Sequence, residues 1–171
     1  MRNIRSVIKK VLKEETNWQK DALNFYKNAP KVDIDEKGRP DMKSFDDFMW
    51  YLIDYVDYPN NPDYKKIKEF ILGLWRYGML QKEVALRMKG WLGMKQNALS
   101  DKWIDKDIRD VGGDDSFHDW MSQIISMGKD HYEAALDVDN NYKKYSNIPY
   151  VESFAYAIPH YSDIEIPEIF R

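Results

Sequence analysis

Apolar residues recur along this chain at spacings of three and four, and no long run alternates with period two, so the pattern predicts helices rather than strands. Residues 2–15 place Ile4, Val7, Ile8, Val11 and Leu12 on one face, with Arg2, Arg5, Lys9, Lys10 and Lys13 around most of the remaining circumference. Thr16 and Gln19 have the capping-box spacing and predict a restart with Trp18, Ala22, Leu23, Phe25 and Tyr26 turned inward. Residues 1–28 thus read as a basic amphipathic helix or helix pair. Pro30, Gly38 and Pro40 make residues 29–43 a loop.

Residues 44–171 read as the helical core. Ser44 is the expected N-cap of a helix through Phe45, Phe48, Met49, Leu52, Ile53 and Val56, stopped by Pro59-Asn60-Asn61-Pro62. Asp63 restarts a helix through Ile67, Phe70, Ile71, Leu74 and Trp75, with Gly78 at C′. Met79 to Leu92 continues helical, Gly90 and Gly93 weaken its end, and Ser100 opens a short segment carrying Trp103, Ile104 and Ile108. Gly112-Gly113-Asp114-Asp115-Ser116-Phe117 then combines a turn signal with a helix start. One long helix is predicted from there to Leu136, its inward face formed by Phe117, Trp120, Met121, Ile124, Gly128, His131, Tyr132 and Ala135. Gly128 lies within that stripe and is expected to admit a close neighbour. The tail from Tyr145 to Arg171 contains Pro149, Pro159 and Pro167, and only Tyr150 to Ile158 looks helical. The fold class is therefore all-α: a single compact domain of six to eight short helices with an irregular, Pro-containing C-terminal tail.

The region from Trp103 to Pro167 resembles the bacterial family described as domain of unknown function 4240. That family shows Gly-Gly, Asp-Asp-Gly-Phe, Phe-Arg-x-Trp-Leu-Ile, Gly-Lys or Gly-Arg, an aromatic and Ala-Leu. Here Gly112-Gly113, Asp114, Asp115, Phe117, Trp120, Ile124-Ile125, Gly128-Lys129, Tyr132 and Ala135-Leu136 hold the corresponding positions, without gaps from Asp114 to Leu136. Glu152-x-Phe154-x-Tyr156 looks like the family's C-terminal Glu-x-Phe-x-Tyr segment. The chain departs from the pattern at Met121, where the family has Arg, and at Gln123, where it has Trp. The resemblance implies a mostly helical fold and no established activity. Met1 to Glu15 is also similar to the starts of many small phage proteins.

Composition sharpens the functional reading. Aromatic residues make up 15% of the 171 residues, more than a minimal core needs, so some are expected at an interface. There is no cysteine, which excludes disulfides, thiolate metal sites and cysteine catalysis. No apolar run has the length of a membrane span, and the basic start lacks the apolar segment of a secretory signal, so a cytoplasmic protein is expected. Charge is segregated: residues 1–28 and 61–100 are basic, whereas 29–60 and 101–171 are acidic, within a net charge of −3. Such halves suit docking on each other or on a partner.

Three chemistries compete. Asp114, Asp115 and His118 lie about one helical turn apart, a spacing able to share a divalent ion in a metal-dependent enzyme, although acidic residues are equally expected there to complement a helix N-terminus. His131 falls on an apolar stripe, where a hydrogen-bonded core histidine is the expectation. Arg2, Arg5, Lys9, Lys10 and Lys13, with the basic residues of 61–100, could bind a polyanion such as nucleic acid. Neither a Gly-x-Ser-x-Gly nor a phosphate-cradling glycine motif is present, so no nucleotide cofactor is expected. The leading expectation is an accessory protein acting by contact with another protein or with itself. Its contact residues would be the exposed members among Trp50, Tyr51, Tyr55, Trp75, Tyr77 and Trp91.

Overall fold

The computed structural model describes residues 18–109, 111–149 and 154–164. Among the described residues eight α-helical segments follow in order: α1 (residues 18–28), α2 (Met42–Val56), α3 (Tyr64–Arg76), α4 (Lys82–Trp103), α5 (Asp114–Ser126), α6 (Lys129–Leu136), α7 (Val138–Tyr145) and α8 (Tyr161–Ile164). A 3-10 turn, Phe154–Tyr156, precedes α8. Among the described residues no strand forms, and the loop before α2 carries only an isolated bridge between Ile34 and Pro40. The fold is all-α. No helix among the described residues is long and apolar enough to cross a membrane.

The buried side chains form one cluster running from Ala22 to Ile164. The long helix α4 is its spine, packing against α2, α5, α6 and α8. Its buried positions, Val84, Ala85, Met88, Trp91, Leu92, Leu99 and Trp103, follow one helical face for five turns. Gly90 and Gly93 therefore do not end this helix, and Ser100 lies inside it rather than opening a new one. Each glycine costs about 1 kcal/mol of propensity, less than the tertiary burial gained by continuing. Ile104, just past the end, is exposed, whereas Trp103 and Ile108 are buried. Apart from the adjoining backbone of α4 itself, no atom of the described residues lies within 4 Å of where a Cβ would stand on Gly90. Gly90→Ala is accordingly expected to raise the unfolding free energy by about 0.5–1 kcal/mol. Urea denaturation checks this, and a lower midpoint would refute it.

Local capping sets the other boundaries. Asp41, not Ser44, caps α2: its carboxylate accepts from the Ser44 N–H at 2.9 Å. The Ser44 hydroxyl is turned to the preceding loop, accepting from the Asp33 N–H at 3.1 Å. Asp63 caps α3 through the Lys66 N–H at 3.0 Å, and Gly78 stands at C′, as its spacing predicts. On α1, Ala22 and Phe25 are buried, but Leu23 and Tyr26 point to solvent, so its apolar face is narrower than the sequence pattern predicts.

The predicted long helix after Gly113 is two helices. Gly128 takes φ +99°, a conformation that L side chains rarely adopt, and the chain turns there between α5 and α6. The close neighbour expected at Gly128 is present: a Cβ there would stand 2.8 Å from the Asp54 carboxylate on α2. Burial and the nearby Asp130 charge push the Asp54 carboxyl up from its ordinary value. Gly73 on α3 admits a close approach of a different kind. The Trp18 indole lies flat enough on the helix that a Cβ would overlap its ring, with Cε2 at 2.9 Å and Cη2 at 3.0 Å.

Two indoles finish helices. Trp103 Nε1 donates to the Ala135 carbonyl of α6 at 2.8 Å, and Trp120 Nε1 donates to the Tyr145 carbonyl of α7 at 3.1 Å. Both carbonyls belong to last turns, which lack intrahelical partners. The positions on which the resemblance rests include a helix start (Gly113 to Asp115) and core (Trp120, Ile124, Ile125, Tyr132 and Ala135). The chain's own Met121 is buried beside them. In the tail, the expected helix from Tyr150 to Ile158 is reduced to the 3-10 turn among its described residues, because Phe154, Ala157, Ile158 and Pro159 all turn into the core.

Candidate functional site

The helix start at Asp114 is built for capping. The Ser116 hydroxyl accepts from the Gly112 and Gly113 N–H groups at 3.2 and 3.1 Å and donates to the Gly113 carbonyl at 2.9 Å. Asp114 and Asp115 occupy the first turn, where negative charge complements the helix dipole. Asp114, Asp115 and His118 are all exposed, and among the described residues no group of three or more histidines or carboxylates is placed to hold a metal ion. His131 is half-buried, its Nδ1 3.3 Å from the Tyr145 hydroxyl, as a hydrogen-bonded histidine beside the core would be.

Of the basic residues in the two candidate segments, the structure describes those of 61–100. Arg2, Arg5, Lys9, Lys10 and Lys13 lie outside the described residues. Within residues 61–100, Lys68 pairs with Asp163 at 2.8 Å, Lys89 donates to the Ala155 carbonyl at 2.6 Å, and Lys95 pairs with Asp46 at 2.6 Å. Burial, with Lys68 nearby, pushes the Lys89 ammonium below its ordinary value. These three cations are used to hold α8, the 3-10 turn and α2 against α3 and α4.

The six candidate aromatic contacts divide sharply. Trp50 and Trp91 are 4% and 1% exposed and belong to the core, so they are not surface anchors. Trp50 packs edge-on against Trp91 at 4.9 Å and against Tyr132 at 5.3 Å. Tyr51, Tyr55 and Trp75 are half-buried, and Tyr77 is exposed, its ring 5.0 Å from that of Trp18. Tyr55 is the best placed of them. It stacks on Phe70 with ring centroids 5.7 Å apart and planes 16° apart, and both rings rest on the buried Phe25. Its hydroxyl donates to the Asp21 carbonyl of α1 at 3.1 Å, which fixes the ring's direction. Tyr55 and Phe70 form the apolar wall of a groove of about 750 Å³ between α2 and α3. Asp21, Asn60, Asn61, Asp63 and Lys66 supply its polar rim.

A second assembly was not anticipated from sequence. The Asp46 carboxylate accepts from Trp50 Nε1 at 3.0 Å and from Trp91 Nε1 at 2.9 Å while pairing with Lys95. The Lys95 ammonium lies 5.4, 5.3 and 5.2 Å from the ring centroids of Trp50, Trp91 and Tyr132, which are contributed by α2, α4 and α6. Burial raises the Asp46 carboxyl, but the bonds from Lys95, Trp91 and Trp50 and the Lys95 charge outweigh it, so the group lies below its ordinary value. Burial, with the Asp46 and Glu133 charges, pushes the Tyr132 phenol up. Two i, i+4 pairs, Asp46 with Trp50 and Trp91 with Lys95, were the available sequence signal; nothing local joins them to each other or to Tyr132.

No protein-family model, curated protein or solved structure matches this chain.

Proposed function

We propose that this protein acts by binding another protein through the groove between α2 and α3. The observation that carries the reading is the Tyr55–Phe70 stack: two half-buried aromatic faces, held rigid from beneath by Phe25, along a groove with a polar rim. Rigid aromatic surface loses little conformational entropy on binding, and aromatic anchors bordered by polar groups are the usual energetic centre of protein interfaces. Asn61 and Lys66 on the rim are exposed, so substitutions there leave the core untouched.

The test is site-directed photo-crosslinking in the source cells with a photoreactive residue at Asn61, and at Lys102 on α4 as a distant control. A single protein captured at Asn61 and not at Lys102 is expected, and its affinity for the purified chain should fall by about tenfold or more in Tyr55→Ala, the loss typical of an anchor residue. Lys66→Glu should weaken it less and make it salt-dependent. Equal capture at both positions, or affinity unchanged in Tyr55→Ala and Lys66→Glu alike, would overturn the reading.

A further inference from the structure

We infer that the cavity between the end of α1 and the start of α4 is a binding site for a small amphipathic monoanion, a single carboxylate on an aliphatic body. The cavity holds about 580 Å³, within the range of about 300–1,000 Å³ usual for small-molecule sites. Its floor is hydrocarbon: Phe25 of α1, Phe48 of α2, Leu80 before α4 and Val84 within it are all buried. Val32 and Met79 are half-buried and leave further apolar surface facing the space. No lining residue is shared with the groove between α2 and α3, and the inference does not depend on that groove's role.

Apolar walls close on each other unless they are held apart, and here both sides are pinned by hydrogen bonds. Across the turn from α3 to α4, the Gly78 N–H donates to the Trp75 carbonyl at 3.0 Å, and the Met79 and Leu80 N–H groups both donate to the Leu74 carbonyl, at 2.8 and 3.1 Å. On the loop side, the Ala29 N–H donates to the Phe25 carbonyl at 2.8 Å. Asp33 is tied at both backbone groups: its N–H donates to the Ser44 hydroxyl at 3.1 Å, and its carbonyl accepts from the Asp41 N–H at 2.8 Å. A ligand therefore meets a preformed site and has little chain to order.

The rim selects the charge. Lys27 and Lys31 line the cavity at exposed positions, and neither has an ion-pair partner among the described residues, unlike Lys68 and Lys95. Asp33 is the one carboxylate on the lining among the described residues. The rim thus keeps a single net positive charge, the complement of one carboxylate rather than of a polyphosphate. The aliphatic body lies on the floor, and the carboxylate stays at the rim with the lysines and water, so no charge is buried.

The probe is sodium octanoate titrated into the full chain, with the methyl resonances of Val32, Met79 and Val84 as readout. Sodium acetate carries the charge without the body, and octanamide the body without the charge. Octanoate is expected to saturate and to shift those methyls. Acetate should shift none, and octanamide should bind about tenfold or more weakly, the loss expected of a charged hydrogen bond. Lys27→Gln with Lys31→Gln should lower the octanoate affinity to that of octanamide and leave the far-UV spectrum unchanged. If that variant does not fold, added sodium chloride replaces it: salt should weaken octanoate and spare octanamide. Octanoate that fails to saturate, or that shifts Val56 and Ile67 of the groove as strongly as Val84, would overturn the site. So would octanamide binding as tightly as octanoate, a folded double variant that binds octanoate like the native chain, or an equal response of both ligands to salt.

Discussion

Trp103→Ala lowers the unfolding free energy by about 3–5 kcal/mol, the cost of deleting a fully buried large aromatic. Trp103 is 0% exposed at the end of α4 and meets α5 and α7 through rings: Trp120 edge-on at 4.9 Å and Tyr142 stacked at 5.9 Å. Its Nε1 also caps α6 through Ala135. The substitution therefore opens a cavity where four helices meet and strips a buried carbonyl of its donor. Against a total stability of about 5–15 kcal/mol for an ordinary domain, that loss removes a large part of the margin. Trp103→Phe separates the contributions: most of the ring contact stays and the cost should fall to about 1–3 kcal/mol, that of leaving the Ala135 carbonyl unpaired. Urea denaturation of both variants measures this. A loss below about 1.5 kcal/mol for the alanine variant would mean that α5 to α7 do not depend on this contact.

Asp46→Ala costs about 2–4 kcal/mol at neutral pH, somewhat under the value for a fully buried pair because both partners keep some solvent. One carboxylate serves two indole N–H groups and an ammonium. Its removal leaves three donors without their acceptor and a cation among aromatic rings without its counter-ion. The pH dependence has a definite sign. The folded-state carboxyl lies below its ordinary value, so its contribution is fully present above the unfolded value of about 3.9 and is lost as pH falls through the lower folded value. The stability gap between native chain and Asp46→Ala is thus widest near neutrality and narrows in acid. A gap that stays constant from pH 7 to pH 3 would show that shape, not charge, accounts for the cost.

Helix existence was largely legible in the sequence, because an amphipathic face repeats about every 3.6 residues and needs no distant information. The stripes of α2 and α3, the Asp63 cap and Gly78 were all readable that way. Helix boundaries were less so. Gly90 and Gly93 look like terminators, yet α4 runs through both because its buried face continues to Trp103. Gly128 looks like a tolerated glycine within one helix, yet it takes a positive φ and divides two. Identical local chemistry produced opposite outcomes, and packing made the difference.

The candidate sites show the same division. The aromatic excess was visible as composition, but not which rings would face water. Trp50 and Tyr51 are adjacent in sequence; one is core and the other half-exposed, because α4 and α6 close over only one side of α2. The sequence by itself determined an all-α chain, the apolar faces of its main helices and the acidic start of α5, whereas its N-cap is Gly113 and not Asp114, Asp115 or Ser116 as the residue types suggest. Only the tertiary structure decided that Lys95 meets Asp46 inside three aromatic rings and that Tyr55 stacks on Phe70 along a groove. Periodicity is written within a single helix, whereas these assemblies draw on α2, α3, α4 and α6 together, and the packing that brings them into register is a property of the whole core.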